Sequence, residues 1–162
     1  MEYSVSTLKT NSIQPTTGST VSIPGHVVQT VNAVTTTRNT TTSTSYVTAG
    51  ITASITPKSA SNKILISVST SGNVNNASSH HLYYTLYRDS TNIGDSNYGL
   101  GEIRGISVNI RAPINVSYVD SPNTTSSTTY TLFFKTSNAS STVEIPGNAG
   151  QKRSITLQEI AQ

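Results

Sequence analysis

The sequence predicts an all-β protein: an antiparallel two-sheet β-sandwich, jelly-roll-like, preceded by an extended N-terminal arm. About a third of the residues are Ser or Thr, and they alternate with Val, Ile, Leu and Tyr at a period of two. Residues 47–56 show the pattern most clearly, with apolar residues at odd positions and small, mostly polar residues at even positions. Because successive side chains of a strand point to opposite faces, one face packs into a core and the hydroxyls of the other meet water.

Stretches of β-branched and aromatic residues, bounded by Gly, Pro, Asn or Ser, predict the individual strands. The predicted strands cover residues 26–36, 46–56, 63–70, 81–89, 105–111, 114–119, 129–136, 142–145 and 154–160. No segment shows the 3.6-residue periodicity of an amphipathic helix. Many short strands at fairly regular spacing are typical of a two-sheet sandwich.

The apolar positions of these strands are expected to form one core. The register of each strand decides which face is buried, because a slip by one residue exchanges the two faces. The predicted core residues are Val47, Ile51, Ile55, Ile64, Ile66, Val68, Leu82, Tyr84, Leu86, Ile106, Val108, Ile110, Val116, Tyr118, Tyr130, Leu132, Phe134, Ile155 and Leu157.

Residues 1–25 are predicted to form an arm, and residues 26–162 are predicted to form the sandwich domain. Asn, Pro and Gly interrupt the arm repeatedly, and its apolar side chains are isolated from one another. A segment with so little apolar surface does not order itself, so we expect it to lie on a sister subunit or a larger assembly. The predicted contact residues of the arm are Val5, Leu8, Ile13, Val21 and Ile23.

Composition and charge argue against several functional classes. With 162 residues the chain is most simply one domain, and it has no Cys for a disulfide or a thiolate metal site. Its formal net charge is +3, and its cations are scattered rather than clustered as nucleic-acid binding requires. No apolar run approaches the roughly 20 residues of a membrane span, and the first residues do not resemble a signal peptide. We therefore expect no nucleic-acid partner, no membrane insertion and synthesis in a cytoplasm.

Motifs that could carry catalysis or bind a metal are weak. His80 and His81 are adjacent and face opposite ways on a strand, so they do not easily share a metal, although a trimer axis could bring three copies of one together. The run Gly94-Asp95-Ser96 resembles an esterase nucleophile motif, but no His follows Ser96 to act as its base. We expect no enzymatic activity and no cofactor.

A glycosidase would need a pair of carboxylates, usually in a cleft lined by aromatic rings. The acidic candidates are Asp89, Asp95, Glu102, Asp120, Glu144 and Glu159, and the candidate rings are Tyr83, Tyr84, Tyr87 and Tyr98. Asp89 and Asp95 flank a predicted hairpin, where Asp is ordinary turn chemistry. Most of the tyrosines fit a sheet equally well, so hydrolysis is the minor alternative.

Four stretches together resemble the small β-sandwich virion proteins of tailed bacteriophages. They are STLKTNSIQP (6–15) with IPGHVVQ (23–29), ITPKSASNKILI (55–66), LYRDST (86–91) and ITLQEI (155–160), and they span most of the chain. That family includes decoration or cement proteins of the capsid and related tip modules of tail fibres and tailspikes. The resemblance implies a homotrimer whose sandwiches pack about a three-fold axis.

The resemblance implies a virion protein made in the host bacterial cytoplasm. We expect a trimeric decoration protein on the outer capsid surface that reinforces the shell, its arm on the major capsid protein and its sandwich turned outward, where it can touch the host. The alternative is the receptor-binding tip of a tail fibre or tailspike that recognises a host surface glycan or protein. The sequence lacks the heptads and repeats of a fibre shaft, which favours decoration.

Loop residues with amide groups or aromatic rings suit adaptable polar contacts with a host surface. The candidate host-facing residues are Asn92, Asn97, Tyr98, Asn123 and Asn138. A cellular carbohydrate-binding module is a third hypothesis. It would need an aromatic platform and a secretion signal, and the first residues do not resemble such a signal.

Overall fold

The computed structural model describes residues 23–75, 80–105 and 108–162, and strands dominate these ranges. The strands are β1 (Val27–Thr35), β2 (Asn39–Thr41), β3 (Val47–Ile55), β4 (Lys63–Val74), β5 (His81–Arg88), β6 (Thr91–Asn92), β7 (Gly101–Arg104), β8 (Ile110–Asp120), β9 (Thr128–Thr136), β10 (Val143–Ile145) and β11 (Arg153–Ile160). The described residues contain no helix that is long and apolar enough to cross a membrane.

The strands form two antiparallel sheets that pack face to face. In sheet A, β4 pairs with β8 on one side and with β11 and β10 on the other, and β1 and β2 extend the sheet beyond β11 and β10. In sheet B the order is β3-β9-β5, and β6 and β7 share the free side of β5. The first described strand pairs with the last, and the chain passes repeatedly between the sheets. The predicted antiparallel two-sheet β-sandwich is confirmed.

The core lies between the sheets and contains alternate residues of their strands, as the period of two predicts. Ile51 and Ile55 of β3 belong to the same buried apolar cluster as Ile64 and Ile66 of β4. The predicted core residues in the described ranges are buried or pack against this cluster, with the exception of Val108. Ile106 lies outside the described residues. Buried apolar residues that the prediction omitted are Ala49, Ala53, Val74, Ile103, Ile114, Val143, Ile145 and Ala161.

The predicted strand bounds are wrong between residues 101 and 120. We predicted strands at 105–111 and 114–119 separated at Pro113, but β7 ends at Arg104 and β8 continues through Pro113. Among the described strands β8 pairs only with β4, so it is an edge strand, and an edge strand tolerates a Pro because one of its sides makes no ladder hydrogen bonds. Val108 lies between the two strands and is 59% exposed, which is why its assignment to the core is wrong.

Candidate functional site

The five predicted host-facing loop residues do not lie on one surface. Asn123 lies in the loop before β9 and Asn138 in the loop after it, so the two are at opposite ends of sheet B. Asn138 accepts hydrogen bonds from the backbone and the hydroxyl of Ser140, which is local turn chemistry. Asn97 and Tyr98 belong to a single turn at residues 95–99, and this turn is the best-formed candidate site.

The turn at residues 95–99 is closed by hydrogen bonds within itself. The backbone groups of Asp95 and Gly99 bond each other in both directions, at 3.1 and 3.0 Å. The Asp95 carboxylate accepts the backbone N–H groups of Asn97 at 2.8 Å and Tyr98 at 2.7 Å. These bonds hold the pKa of Asp95 below its usual value. The turn therefore has one defined shape, and it presents Tyr98 with 65% of its surface exposed.

Asn92 fixes the base of this turn to strand β5. Its side-chain oxygen accepts hydrogen bonds from the Thr85 hydroxyl at 2.7 Å and the Gly94 N–H at 3.0 Å. Its amide nitrogen donates to the Asp95 carbonyl at 3.2 Å. The structure thus gives Asn92 a supporting role, and a ligand contact through this side chain stays a prediction.

The turn lies over the outer face of sheet B. Thr85 lies on the same outer face of β5 as Tyr83 and Tyr87, because it is two positions from each of them. It is nevertheless fully buried, because the turn covers it. Gly99 has a φ of 70°, and an added Cβ would stand 2.3 Å from the Tyr84 carbonyl oxygen. Only glycine meets both requirements without strain. Gly99 therefore allows the turn to approach the sheet closely enough for Tyr98 to reach the rings of β5.

Beside the turn, the outer face of sheet B carries packed aromatic rings. We call Tyr46, Tyr83, Tyr87, Tyr98 and Phe133 the aromatic face. Tyr87 stacks on Phe133 with ring centroids 4.0 Å apart. Tyr83 meets Tyr98 nearly edge to face at 5.7 Å, and Tyr87 meets Tyr46 in the same way at 6.4 Å. Such contacts hold each ring in a fixed orientation.

Charged groups of both signs border the aromatic face. The Lys135 ammonium lies 4.6 Å from the centre of the Tyr46 ring and 5.7 Å from that of Tyr83. His81 stacks parallel to Tyr83 with centroids 5.6 Å apart, and its Nδ1 is 3.0 Å from a carboxylate oxygen of Glu102. Neither charge dominates this surface, so it does not resemble the continuous basic groove of a nucleic-acid platform.

An open groove of about 450 Å³ adjoins Tyr98. Its lining is the segment from Tyr98 to Glu102, which combines one exposed ring, one leucine, two glycines and one carboxylate. A volume of about 300–1,000 Å³ with a few polar groups beside apolar ones is typical of small-ligand sites. We call this feature the Tyr98 groove.

The Tyr46 hydroxyl lies beneath the turn. It is buried and has no hydrogen-bond partner among the residues that the structure describes. Burial, with a smaller contribution from Asp95, raises the pKa of Tyr46 to about 12. The hydroxyl is therefore neutral at physiological pH and acts as a dipole, not as a base.

The buried carboxylate of Glu159 anchors a corner of the sandwich. Its oxygens accept hydrogen bonds from Gln29 at 2.6 Å, from Asn62 at 2.7 Å and from the Lys58 backbone at 2.7 Å. Burial by itself raises the pKa of Glu159, but these bonds outweigh burial and hold it below the usual value. We call this arrangement the Glu159 corner. Its groups are already paired within the fold, so it has a structural role.

Three further buried charges are also paired within the fold. Arg153 donates to backbone carbonyls that include those of Ala49 and Thr37, and Glu144 accepts from Arg38 and Asn73. Asp120 accepts from the Tyr130 hydroxyl and from Arg88. Such pairings are what burial of a charge demands. Within the described ranges no three His, Cys, Asp or Glu side chains are close enough to hold a metal ion.

The predicted arm contacts lie mostly outside the described residues. Val5, Leu8, Ile13 and Val21 are in that part of the chain, and Ile23 is exposed. From Gly25 the chain is tied to the C-terminal segment, because its N–H donates to the Ala161 carbonyl at 2.8 Å. The boundary between arm and sandwich stays a prediction.

The sequence predicts Tyr83, Tyr87 and Tyr98 as candidate rings, but it does not single out Tyr46 and Phe133 or predict that these rings form one face. The alternation of side chains along β9 could have placed Phe133 on the outer face, since it lies between the core residues Leu132 and Phe134. Only the strand order of sheet B brings these rings together.

Comparison with known proteins does not assign the chain to a family. No protein-family model matches it, and no curated protein matches its sequence.

Proposed function

We propose that the protein is a virion structural protein of a tailed bacteriophage, a trimeric decoration protein on the outer capsid surface. The observation that carries the proposal is the Glu159 corner. Three of the four stretches that resemble small β-sandwich virion proteins supply its groups: Gln29 comes from 23–29, Lys58 and Asn62 from 55–66, and Glu159 from 155–160. The resemblance therefore follows one physical unit of the fold, which supports a shared architecture.

Under the proposal, the arm would leave the sandwich beside the Glu159 corner. Gly25 and His26 pair with Ala161, beside the carboxylate that orders residues 58–62. Under the proposal, residues before this point lie on the major capsid protein while the rest of the sandwich faces outward. Each apolar arm side chain buried there would contribute about 1–2 kcal/mol, and a trimer engages three arms at once. The proposal assigns no reaction and no cofactor to the chain.

Co-sedimentation with capsids tests this role. Purified protein is mixed with undecorated capsids of the phage that encodes it, as the full chain and without residues 1–24. We expect saturable binding by the full chain and none by the truncated protein, which keeps a folded sandwich. Equal binding by the two would contradict the arm contact, and no binding by the full chain would contradict the decoration role.

A matched pair of surface variants sharpens the capsid test. One variant replaces Val5, Leu8 and Ile13 with Ser, and the control replaces two exposed valines of the sandwich, Val34 and Val119, with Ser. Only the arm variant should lose capsid binding. Light scattering on the full chain should give three times the 17.1 kDa of one chain. A monomer at the concentrations used for binding would contradict the trimer.

A second candidate function is the receptor-binding tip of a tail fibre or tailspike. The aromatic face favours it, because packed rings beside an open groove are a surface that solubility does not require. Adsorption of the full chain to host cells, with no binding to capsids, would favour this candidate over decoration.

A further inference from the structure

We propose that the Tyr98 groove binds an uncharged pyranose sugar. The Tyr98 ring would cover the apolar C–H face of the sugar, and the Glu102 carboxylate would accept hydrogen bonds from its hydroxyls. The inference rests on the recognition candidate, for which it names a site and a ligand class. It is independent of where the protein lies on a particle.

The aromatic half of the site is prepared before a ligand arrives. Tyr98 is 65% exposed, so most of its ring is in water. Its position is fixed by the 5.7 Å contact with Tyr83 and by the Asp95 carboxylate, which accepts the backbone N–H groups of Tyr98 and its neighbour Asn97. A ring that is already held in place loses little conformational entropy when a ligand binds. A small ligand that makes few contacts can therefore bind to it.

The polar half of the site is a carboxylate that is oriented but free to accept further bonds. Glu102 has a side chain that is 46% exposed, and one oxygen lies 3.0 Å from His81 Nδ1. A carboxylate accepts up to four hydrogen bonds, so capacity is left for two sugar hydroxyls. His81 in turn stacks on Tyr83, which links the carboxylate to the ring that supports Tyr98.

The size and charge of the groove select among ligand classes. A groove of about 450 Å³ accommodates one or two sugar rings but not the face of a folded protein. Of the residues that line it, Glu102 alone is charged, so the lining offers no cation to pair with an anionic sugar or a phosphate. Single-stranded nucleic acids also stack on aromatic rings, but they need a basic track for the phosphates. An uncharged pyranose fits the ring, the carboxylate and the charge together.

Nuclear magnetic resonance titration of the full-length protein tests the proposal. The probes are methyl β-D-glucopyranoside, methyl β-D-galactopyranoside and methyl α-D-mannopyranoside, with methyl β-D-glucuronide and an oligothymidylate as the anionic comparisons. We expect at least one neutral glycoside to shift the backbone resonances of residues 95–102, with a Kd on the order of millimolar. The glucuronide should bind at least about tenfold more weakly, and the oligothymidylate should cause no shift.

Four variants separate the two halves of the site from general effects. Tyr98→Ala and Glu102→Gln should each weaken binding of that glycoside about tenfold. Tyr98→Phe keeps the ring, and Val34→Ala changes an exposed apolar residue of sheet A, so both should bind as the original protein does. Circular dichroism verifies that each variant is folded. Because Tyr98 and Glu102 are exposed, we expect all four to fold.

Several results would overturn the proposal. They are the absence of shifts with every neutral glycoside, equal binding by Tyr98→Ala, preferred binding of the glucuronide or the oligothymidylate, and a change of oligomeric mass in Tyr98→Ala. The last would identify the face as a subunit contact. Adsorption to host cells that survives Tyr98→Ala would overturn the sugar site and leave the recognition candidate standing. Capsid binding should be the same in Tyr98→Ala and the original protein, so the decoration role fails or survives on its own test.

Discussion

The outer faces of the two sheets differ, although the strands of both follow the same two-residue alternation. On sheet A, the central outward positions hold small uncharged side chains that pair across the strands: Thr156–Ser67–Ser117 and Ser154–Ser69–Asn115. They line a groove of about 420 Å³, similar in volume to the Tyr98 groove, but its lining contains no aromatic ring and no charged group. On the outer face of sheet B, Tyr83 of β5 pairs with Lys135 of β9, and two residues further along Thr85 pairs with Phe133.

The difference is also visible within sheet B. Toward the end of β3 the outer face consists of hydroxyl pairs again, Thr52 with Thr131 at 2.8 Å and Ser54 with Thr129 at 2.7 Å. Among the described residues of this face, rings occur only near the turn at residues 95–99. Hydroxyls in water are satisfied by solvent, whereas exposed ring surface costs about 25 cal/mol per Å². The aromatic face, and not the abundance of Ser and Thr, is where the surface departs from what solubility requires.

The largest expected effect comes from introducing a carboxylate on the inner face of a strand, compared with the same change on its outer face. Ile66 is fully buried on the inner face of sheet A, and its neighbour Ser67 lies on the outer face. Ile66→Asp should abolish folding, because it buries a carboxylate with no partner. Ser67→Asp should cost about 1 kcal/mol or less, because the charge meets water. Thermal unfolding by circular dichroism measures both, and a folded Ile66→Asp would show that the strand register is wrong.

The alternation in the sequence was enough to predict which face of most strands is buried. It placed Leu82 and Leu86 inward on β5, and Leu132 and Phe134 inward on β9, since the first pair lies four positions apart and the second pair two, and an even spacing keeps both side chains on one face. It failed where a residue's environment depends on a distant element. Pro113 suggested a break between strands because the sequence does not reveal that β8 lies at an edge.

The candidate site was less accessible to sequence reasoning for the same reason. The sequence predicts Tyr98 as a host-facing residue because aromatic rings in loops suit adaptable polar contacts. Tyr46 and Phe133 lie 52 and 35 positions away along the chain, and only the pairing of β3, β9 and β5 brings them beside it. The burial of Thr85 was equally hidden, because it is caused by a turn that folds back over the sheet.

A smaller loss of stability is expected from substitutions on the two outer faces. Phe133→Ala removes the ring that stacks on Tyr87 at 4.0 Å, and it should lower the free energy of unfolding by about 1–2 kcal/mol. Ser117→Ala on sheet A removes a solvated hydroxyl and should change it by no more than about 0.5 kcal/mol. Chemical denaturation of the two variants measures this difference. Equal losses would mean that the rings of sheet B do not support one another.

The smallest effect concerns the one hydroxyl of the aromatic face that is buried without a described partner. Tyr46→Phe removes that hydroxyl, so we expect the protein to be unchanged or more stable by up to about 1 kcal/mol. Tyr130→Phe is the matched control, because its hydroxyl donates to Asp120 at 2.7 Å and its loss should cost about 1–3 kcal/mol. Denaturation of both variants measures the contrast. A loss in Tyr46→Phe as large as that in Tyr130→Phe would mean that the Tyr46 hydroxyl has a partner beneath the turn, and this bond would then hold the turn to sheet B in addition to the bond between Asn92 and Thr85.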